Sequence, residues 1–244
     1  MNPKMLPFFF ILFFTCMGTL IWSQLKHKKK VDPWTLGKAY DVRGIDISHH
    51  NGRINYDELD SLDFVFLKVT EGTSWMDRAF SKHYSAFREK EIAVGAYHFF
   101  RFDVDGKKQA RHFLNHLEGK EFQIPLIVDV EHENNPLVPR EKVIERLRAF
   151  LNEVKHQTGF KPIIYTNGIG YSDFIEDDFG DHTLWLSSTN NWRPAMMDCT
   201  FWQFNIKADL SAIAHDVDLN VFRGSRQEWQ LYLKKNKPFV VSTN

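Results

Sequence analysis

A chain of 244 residues has room for one large domain with short appendages. Its 31 basic and 31 acidic side chains cancel, which removes the electrostatic reason to expect nucleic acid as a partner. Two cysteines, Cys16 in an apolar run and Cys199 alone in the body, exclude an internal disulfide framework for the soluble part.

The first element is a nearly unbroken apolar run, Leu6 to Trp22, preceded by Lys4 and followed by Lys26, His27, Lys28, Lys29 and Lys30. It sits at the short end of the roughly 17–25 residues that span a bilayer, and it equally fits a long signal-peptide core. Basic residues after such a segment favour the cytoplasmic side, whereas the chemistry read below needs an extracytoplasmic body. The expectation is a membrane-anchored or secreted protein that meets the membrane through this segment. Residues 1–39 would be signal or anchor plus polar linker, 40–228 a barrel domain and 229–244 a tail.

Short apolar runs then recur at Gly44–Ser48, Phe64–Val69, Ile92–Phe99, Ile124–Glu131, Pro162–Thr166, Thr183–Ser187, Thr200–Asn205 and Val217–Phe222. Apolar, β-branched and punctuated by polar residues, they read as buried parallel strands. Helical stripes lie between the early ones. Ala79, Phe80, Tyr84 and Phe87 make one, and Asp105 caps a second that buries Ala110, Phe113, Leu114 and Leu117. The third runs from Pro139 to His156, with Gly159 just past its end. After the fifth strand the helical rhythm fades. The pattern predicts an α/β barrel of eight strands that begins as β/α units and closes with plain strands. A doubly wound open sheet alternates in the same way, but no glycine-rich phosphate loop follows the first strand.

The strongest chemical signal is the run from Ile124 to Glu133, an apolar strand opening into Asp129, Glu131 and Glu133. Side chains at i and i+2 share a face, so Asp129 and Glu131 point the same way. Crowding two acids opposes ionisation of both, and barrel active sites lie at the C-terminal ends of strands. Other strand ends add Asp46, Lys68 with Glu71, Tyr97 with His98, Tyr165, Trp202 with Gln203, and Asp218. For Trp185 the core is at least as good a reading as a sugar platform, whereas Trp202 reads as pocket lining. A metal centre is poorly supported, since His49 and His50 are adjacent and cannot both point the same way from a strand. No metal and no cofactor is expected.

In order along the chain, Gly44-Ile-Asp-Ile-Ser-His-His-Asn-Gly52, Phe66-Leu-Lys-Val-Thr-Glu-Gly72, Gly95-Ala-Tyr-His-Phe99, Val128-Asp-Val-Glu131, Trp202-Gln203 and Val217-Asp-Leu-Asn220 resemble glycoside hydrolase family 25, the Ch-type lysozymes. The resemblance covers about Val42 to Ser225. It implies a single irregular TIM-like barrel of five β/α units and three further strands. It also implies cleavage of peptidoglycan between N-acetylmuramic acid and N-acetylglucosamine. Glu131 matches the family's general acid, Asp129 its partner carboxylate, and Asp46 and Asp218 the remaining acidic positions. Tyr97, His98, Lys68, Glu71, Tyr165, Trp202 and Gln203 would line the glycan site. Asp129 and Glu131 lie about 7 Å apart along one strand, poorly placed to attack opposite faces of a sugar. An inverting pair would need Asp46 or Asp218 across the pocket. Substrate assistance with retention of configuration is therefore expected. Alternatives are a hydrolase of another N-acetylated glycan such as chitin, or a silent glycan-binding barrel.

Overall fold

Eight apolar runs close on one another. The structure is a computed structural model that describes residues 32–189 and 198–242. The strands are β1 (Arg43–Ile47), β2 (Phe64–Glu71), β3 (Trp75–Met76), β4 (Ala93–Phe99), β5 (Glu121–Phe122), β6 (Ile127–Asp129), β7 (Ile163–Asn167), β8 (Leu184–Ser187), β9 (Phe201–Ala208), β10 (Val217–Phe222) and β11 (Phe239–Val240). β1, β2, β4, β6, β7, β8 and β9 pair in parallel, each with the next. β10 is antiparallel to both β9 and β1, and it closes the barrel. β3 folds back on the end of β2, and β5 pairs with β11 away from the barrel.

Helices occupy the early connections, as the periodicity predicts. α1 (Phe80–Glu89) follows β3, α2 (Gly106–Leu117) follows β4 and α3 (Arg140–Thr158) follows β6. The Asp105 carboxylate accepts the Lys108 backbone N–H at 2.8 Å and starts α2. α3 stops where Gly159 takes the left-handed conformation, φ +78°. The connections after β1 and β7 carry only short turns, at His49–Asn51, Tyr56–Glu58 and Gly168–Ile175. Among the described residues, long helices thus follow β3, β4 and β6, while the connections after β1 and β7 are covered by short helical turns.

Alternation along the strands builds the barrel interior in layers. Val42, Phe64, Ile163, Phe201 and Phe222 fill the base, with Phe66 and Trp185 above them. Gly44 and Gly95 make that packing possible, because a Cβ there would meet the Phe64 and Phe66 rings at 2.4 and 2.7 Å. One step further toward the mouth the inward positions turn polar: Asp46, Lys68, Tyr97, Asp129, Tyr165, Ser187, Gln203 and Asp218.

Packing does not end at residue 228. α4 (Arg226–Asn236) sets the buried Trp229 against Phe64, Phe222 and Phe201, with ring centroids 5.6, 5.3 and 6.3 Å away. Phe239 of β11 meets Phe122 and Phe160, and Val241 is buried. The segment expected as a tail thus seals the base, its aromatics finding the apolar end of the barrel. The described residues from Leu36 onward form one compact unit. The apolar run 6–22 lies outside the described residues, and among those described no helix is long and apolar enough to cross a membrane.

Candidate active site

The mouth of the barrel gathers four carboxyl groups. Asp46, one residue before the end of β1, faces Asp218 of β10 in antiparallel register. Asp129 is the last residue of β6, and Glu131 follows in the loop, its backbone held by Asn135, whose Nδ2 donates to the Glu131 carbonyl at 2.9 Å. Lys68 of β2 brings a cation to the same mouth. Its Nζ lies 3.1 Å from Glu71 Oε2 and sits over the Trp75 and Phe99 rings, 4.9 Å from each centroid.

Burial dominates the electrostatics of this group. It pushes Glu131 up to about 7, with the Glu133 carboxylate adding to the effect and Lys68 opposing it. Asp129 is raised well above the usual carboxylate range by burial and then by Glu131. Its Oδ1 is buried with no hydrogen-bond partner among the described residues. Burial lifts Asp46 to about 6 against the hydrogen bonds from Asn220 and Gln203. Asp218 reaches about 9 through burial and the adjacent Asp46. Gln203 Nε2 lies within reach of both carboxyls, at 2.9 and 3.2 Å, and two acids held that close hold a proton between them near neutrality. Tyr97 and Tyr165 are raised by burial and by these carboxylates.

A cleft of about 480 Å³ opens beside the group, bounded by Glu131, Glu133, Tyr165, Ile169, Ser187 and Asp218 among others. A half-buried carboxyl that keeps its proton near neutrality, next to a cleft of this size, can deliver that proton to a bound oxygen. The family description "Glycosyl hydrolases family 25" matches residues 45–213. The chain belongs to that family.

Relatives of this family 25 hydrolase span most of the chain. A protein of Escherichia coli (strain K12), "Uncharacterized protein YegX", is 32% identical over 204 residues, covering 80% of this chain and 74% of its own. Lysozyme M1 of Streptomyces globisporus is 29% identical over 213 residues, covering 80% and 72%. Among solved structures, a family 25 glycosyl hydrolase from Bacillus anthracis has a TM-score of 0.72 at 30% identity, covering 80% of this chain and 94% of that one. A bacterial lysozyme from Streptomyces coelicolor has 0.71 at 25% identity, with 80% and 98% covered.

Not every expected residue of the family 25 hydrolase reaches the mouth. His98 points outward, where its Nδ1 meets Thr70 Oγ1 at 2.8 Å and its Nε2 meets Gln109 Oε1 at 3.1 Å. It stacks on Phe150, centroids 5.0 Å apart, and burial lowers it to about 3, so it is a neutral core histidine. Trp202 also faces away from the cleft. Its Nε1 donates to the Ser188 carbonyl at 2.8 Å, and its ring packs between Tyr40 and Phe204. Trp185 is core, its Nε1 bonded to Asn220 Oδ1. Asp46, Lys68, Glu71, Tyr97, Asp129, Glu131, Tyr165, Gln203 and Asp218 do gather at the mouth.

Several participants escape the sequence reading. Ser187 and Asn220 bond directly to the polar layer, and Trp75, brought in by the β2–β3 turn, borders Lys68. The helix α2 carries His112 and His116 at a spacing suited to a metal. There His112 Nε2 is bonded to the Trp75 carbonyl and His116 Nδ1 to the His112 carbonyl. Among the described residues no group of three or more His, Cys, Asp or Glu is placed to hold a metal ion.

Proposed function

We propose that this glycoside hydrolase is a muramidase that cuts the β-1,4 bond between N-acetylmuramic acid and N-acetylglucosamine in peptidoglycan. The observation that carries the reading is Glu131, half-buried at the cleft and raised to about 7. Relatives named "Lysozyme M1" and "N,O-diacetylmuramidase" support the substrate class. Glu131 protonates the glycosidic oxygen and then, as carboxylate, takes a proton from water. The unpartnered Oδ1 of Asp129 accepts the N–H of the sugar's 2-acetamido group. That hydrogen bond favours the ionised carboxyl, which orients the acetamido oxygen toward the anomeric carbon. Attack from within the substrate leads to retention of configuration. Tyr97, Lys68, Glu71 and Tyr165 complete the wall against which the glycan lies.

Mass spectrometry of purified peptidoglycan digested by the chain, beside Glu131→Gln, tests this reading. Muropeptides with reducing N-acetylmuramic acid, lost in the variant by about 10²-fold or more, are the expected result. Products from chitin alone, or binding without cleavage, would sink it. An inverted first-formed anomer would remove the role given to Asp129.

The localisation follows from the substrate. The apolar segment Leu6 to Trp22 would carry the barrel across the membrane and hold it or release it outside. Protease accessibility of the barrel in intact cells tests this, and full protection would reverse the assignment.

A further inference from the structure

Asp46 and Asp218 are watched by two side-chain amides. Gln203 Nε2 donates to Asp46 Oδ2 at 2.9 Å and to Asp218 Oδ2 at 3.2 Å. Asn220 Nδ2 donates to the same Asp46 oxygen at 2.7 Å. A carboxamide has almost the same shape with its oxygen or its N–H₂ group forward, so the groups behind it decide its direction. Behind Gln203 stand two hydroxyls. Tyr165 Oη and Ser187 Oγ donate to its Oε1 at 3.0 and 2.6 Å. Behind Asn220 stands the Trp185 indole, which can only donate, and its Nε1–H reaches Asn220 Oδ1 at 2.8 Å. Asn220 is thereby held with N–H₂ toward Asp46; a hydroxyl can accept as well as donate, so Gln203 takes the same direction from the two carboxyl oxygens its N–H₂ faces, and the hydroxyls then donate to its Oε1. All three of Gln203, Asn220 and Trp185 are buried.

We propose that Asn220, locked from behind by Trp185, and Gln203, supported from behind by Ser187 and Tyr165, are positioning residues that assign the single proton of the Asp46–Asp218 pair to Asp218 and keep Asp46 as the anion. An oxygen that accepts two N–H groups is stabilised in its charged form, whereas Asp218 shares only one of those donors. The consequence reaches Glu131, beside which the Asp46 anion favours the protonated acid. The groups facing this pair are Tyr97 from β4, Asp129 and Glu131 at the end of β6, Tyr165 from β7 and Asp216 before β10, with Lys68 and Glu71 from β2 acting on Asp129 beside it. Lys68 is the cation among them. The role given to Glu131 rests on the muramidase reading; the placement of the proton does not.

Two measurements on the full chain separate those claims. The first is a carboxyl ¹³C NMR titration of Asp46 and Asp218 in wild type, Trp185→Phe, Ser187→Ala and Ser187→Thr. Asp46 is expected to titrate below Asp218 in wild type. Loss of the indole N–H should raise Asp46 by about one pH unit, the worth of one charge-assisted hydrogen bond. Ser187→Ala should move it the same way, and Ser187→Thr should restore it. The second is the pH dependence of peptidoglycan solubilisation. The alkaline limb should move to lower pH in Trp185→Phe, where a less ionised Asp46 supports the Glu131 proton less, with the half-saturating substrate level changed less than about twofold. If Trp185→Phe does not fold, the Ser187 pair carries both tests. Asp46 titrating above Asp218 in wild type, or unmoved in the folded variants, would overturn the proposal. A wild type that releases nothing from any wall overturns the muramidase reading and leaves the titration to decide the proton.

Discussion

Asp129 is a buried acid whose Oδ1 has no partner among the described residues, and Asp218 is held protonated to about 9. A carboxyl raised above its unfolded value makes the fold most stable at low pH. That stability drains away as pH climbs, from about 4 to about 6 for Asp46 and on to about 9 for Asp218. Asp218→Asn should therefore melt higher than wild type, by about 1 kcal/mol at pH 8 after allowing for screening at the half-exposed carboxyl, and by less at pH 5. Thermal melts at the two pH values check this, with activity falling in the same variant. Activity should also decline as pH rises through about 7, where Glu131 gives up its proton. Glu133→Gln removes the second cause of that elevation and should move the alkaline limb to lower pH while sparing acid-side turnover; a pH–rate profile reads it. The acid pair was legible because side chains alternate along a strand, and Asp129 and Glu131 are two apart. The same alternation places Tyr97 and His98 on opposite faces, and likewise Gln203 and Trp202. Treating each neighbouring pair as one site feature is what misplaced His98 and Trp202. Ser187 carried no signal of its own and Asn220 only a place in the Val217–Asn220 run, since their roles come from strands that only the closed barrel brings together.

α2 and α3 show how closely elements are fitted. A Cβ on Gly106 would lie 1.7 Å from the Arg146 carbonyl oxygen and 3.1 Å from the Phe150 backbone N. Neither obstacle is a side chain that can swing aside. Gly106→Ala should force the helices apart and cost about 2–3 kcal/mol, visible as a lowered denaturant midpoint, despite alanine's better helix propensity. These two helices could be read from the sequence because stripe, cap and stop agree. The apolar stripe of α2 begins at the Asp105 cap, and that of α3 ends at Gly159. The turns after β1 and β7 could not. Ser48 caps a three-residue turn through a bond from the His50 N–H, and Asn167 caps another through Ile169 and Gly170. Segments that short carry no period to detect.

At the scale of the whole molecule the barrel has two dissimilar ends, polar at the mouth and aromatic at the base. Trp229 belongs to the base, and Trp229→Ala should cost about 3–5 kcal/mol. Truncation after 228 should lower the melting temperature further or yield insoluble protein. Near-native melting of the truncated chain would show that the seal is dispensable. The eight strands were legible as apolar runs, whereas the contribution of 229–242 was not, because a short amphipathic helix and a two-residue strand look like a tail until a base exists for them to cover. That base also receives the chain: Arg226 Nη2 donates to the Asp41 carbonyl at 2.5 Å and pairs with Asp63, just before β1 and β2 begin. The carboxylates sit toward the other end of the barrel, Asp46 lying five residues along the chain from Asp41 through β1, a stand-off of roughly 15 Å. Molecules fixed to a bead through residues ahead of Asp41 would all present their clefts outward, and should outperform the same quantity of protein coupled at random lysines.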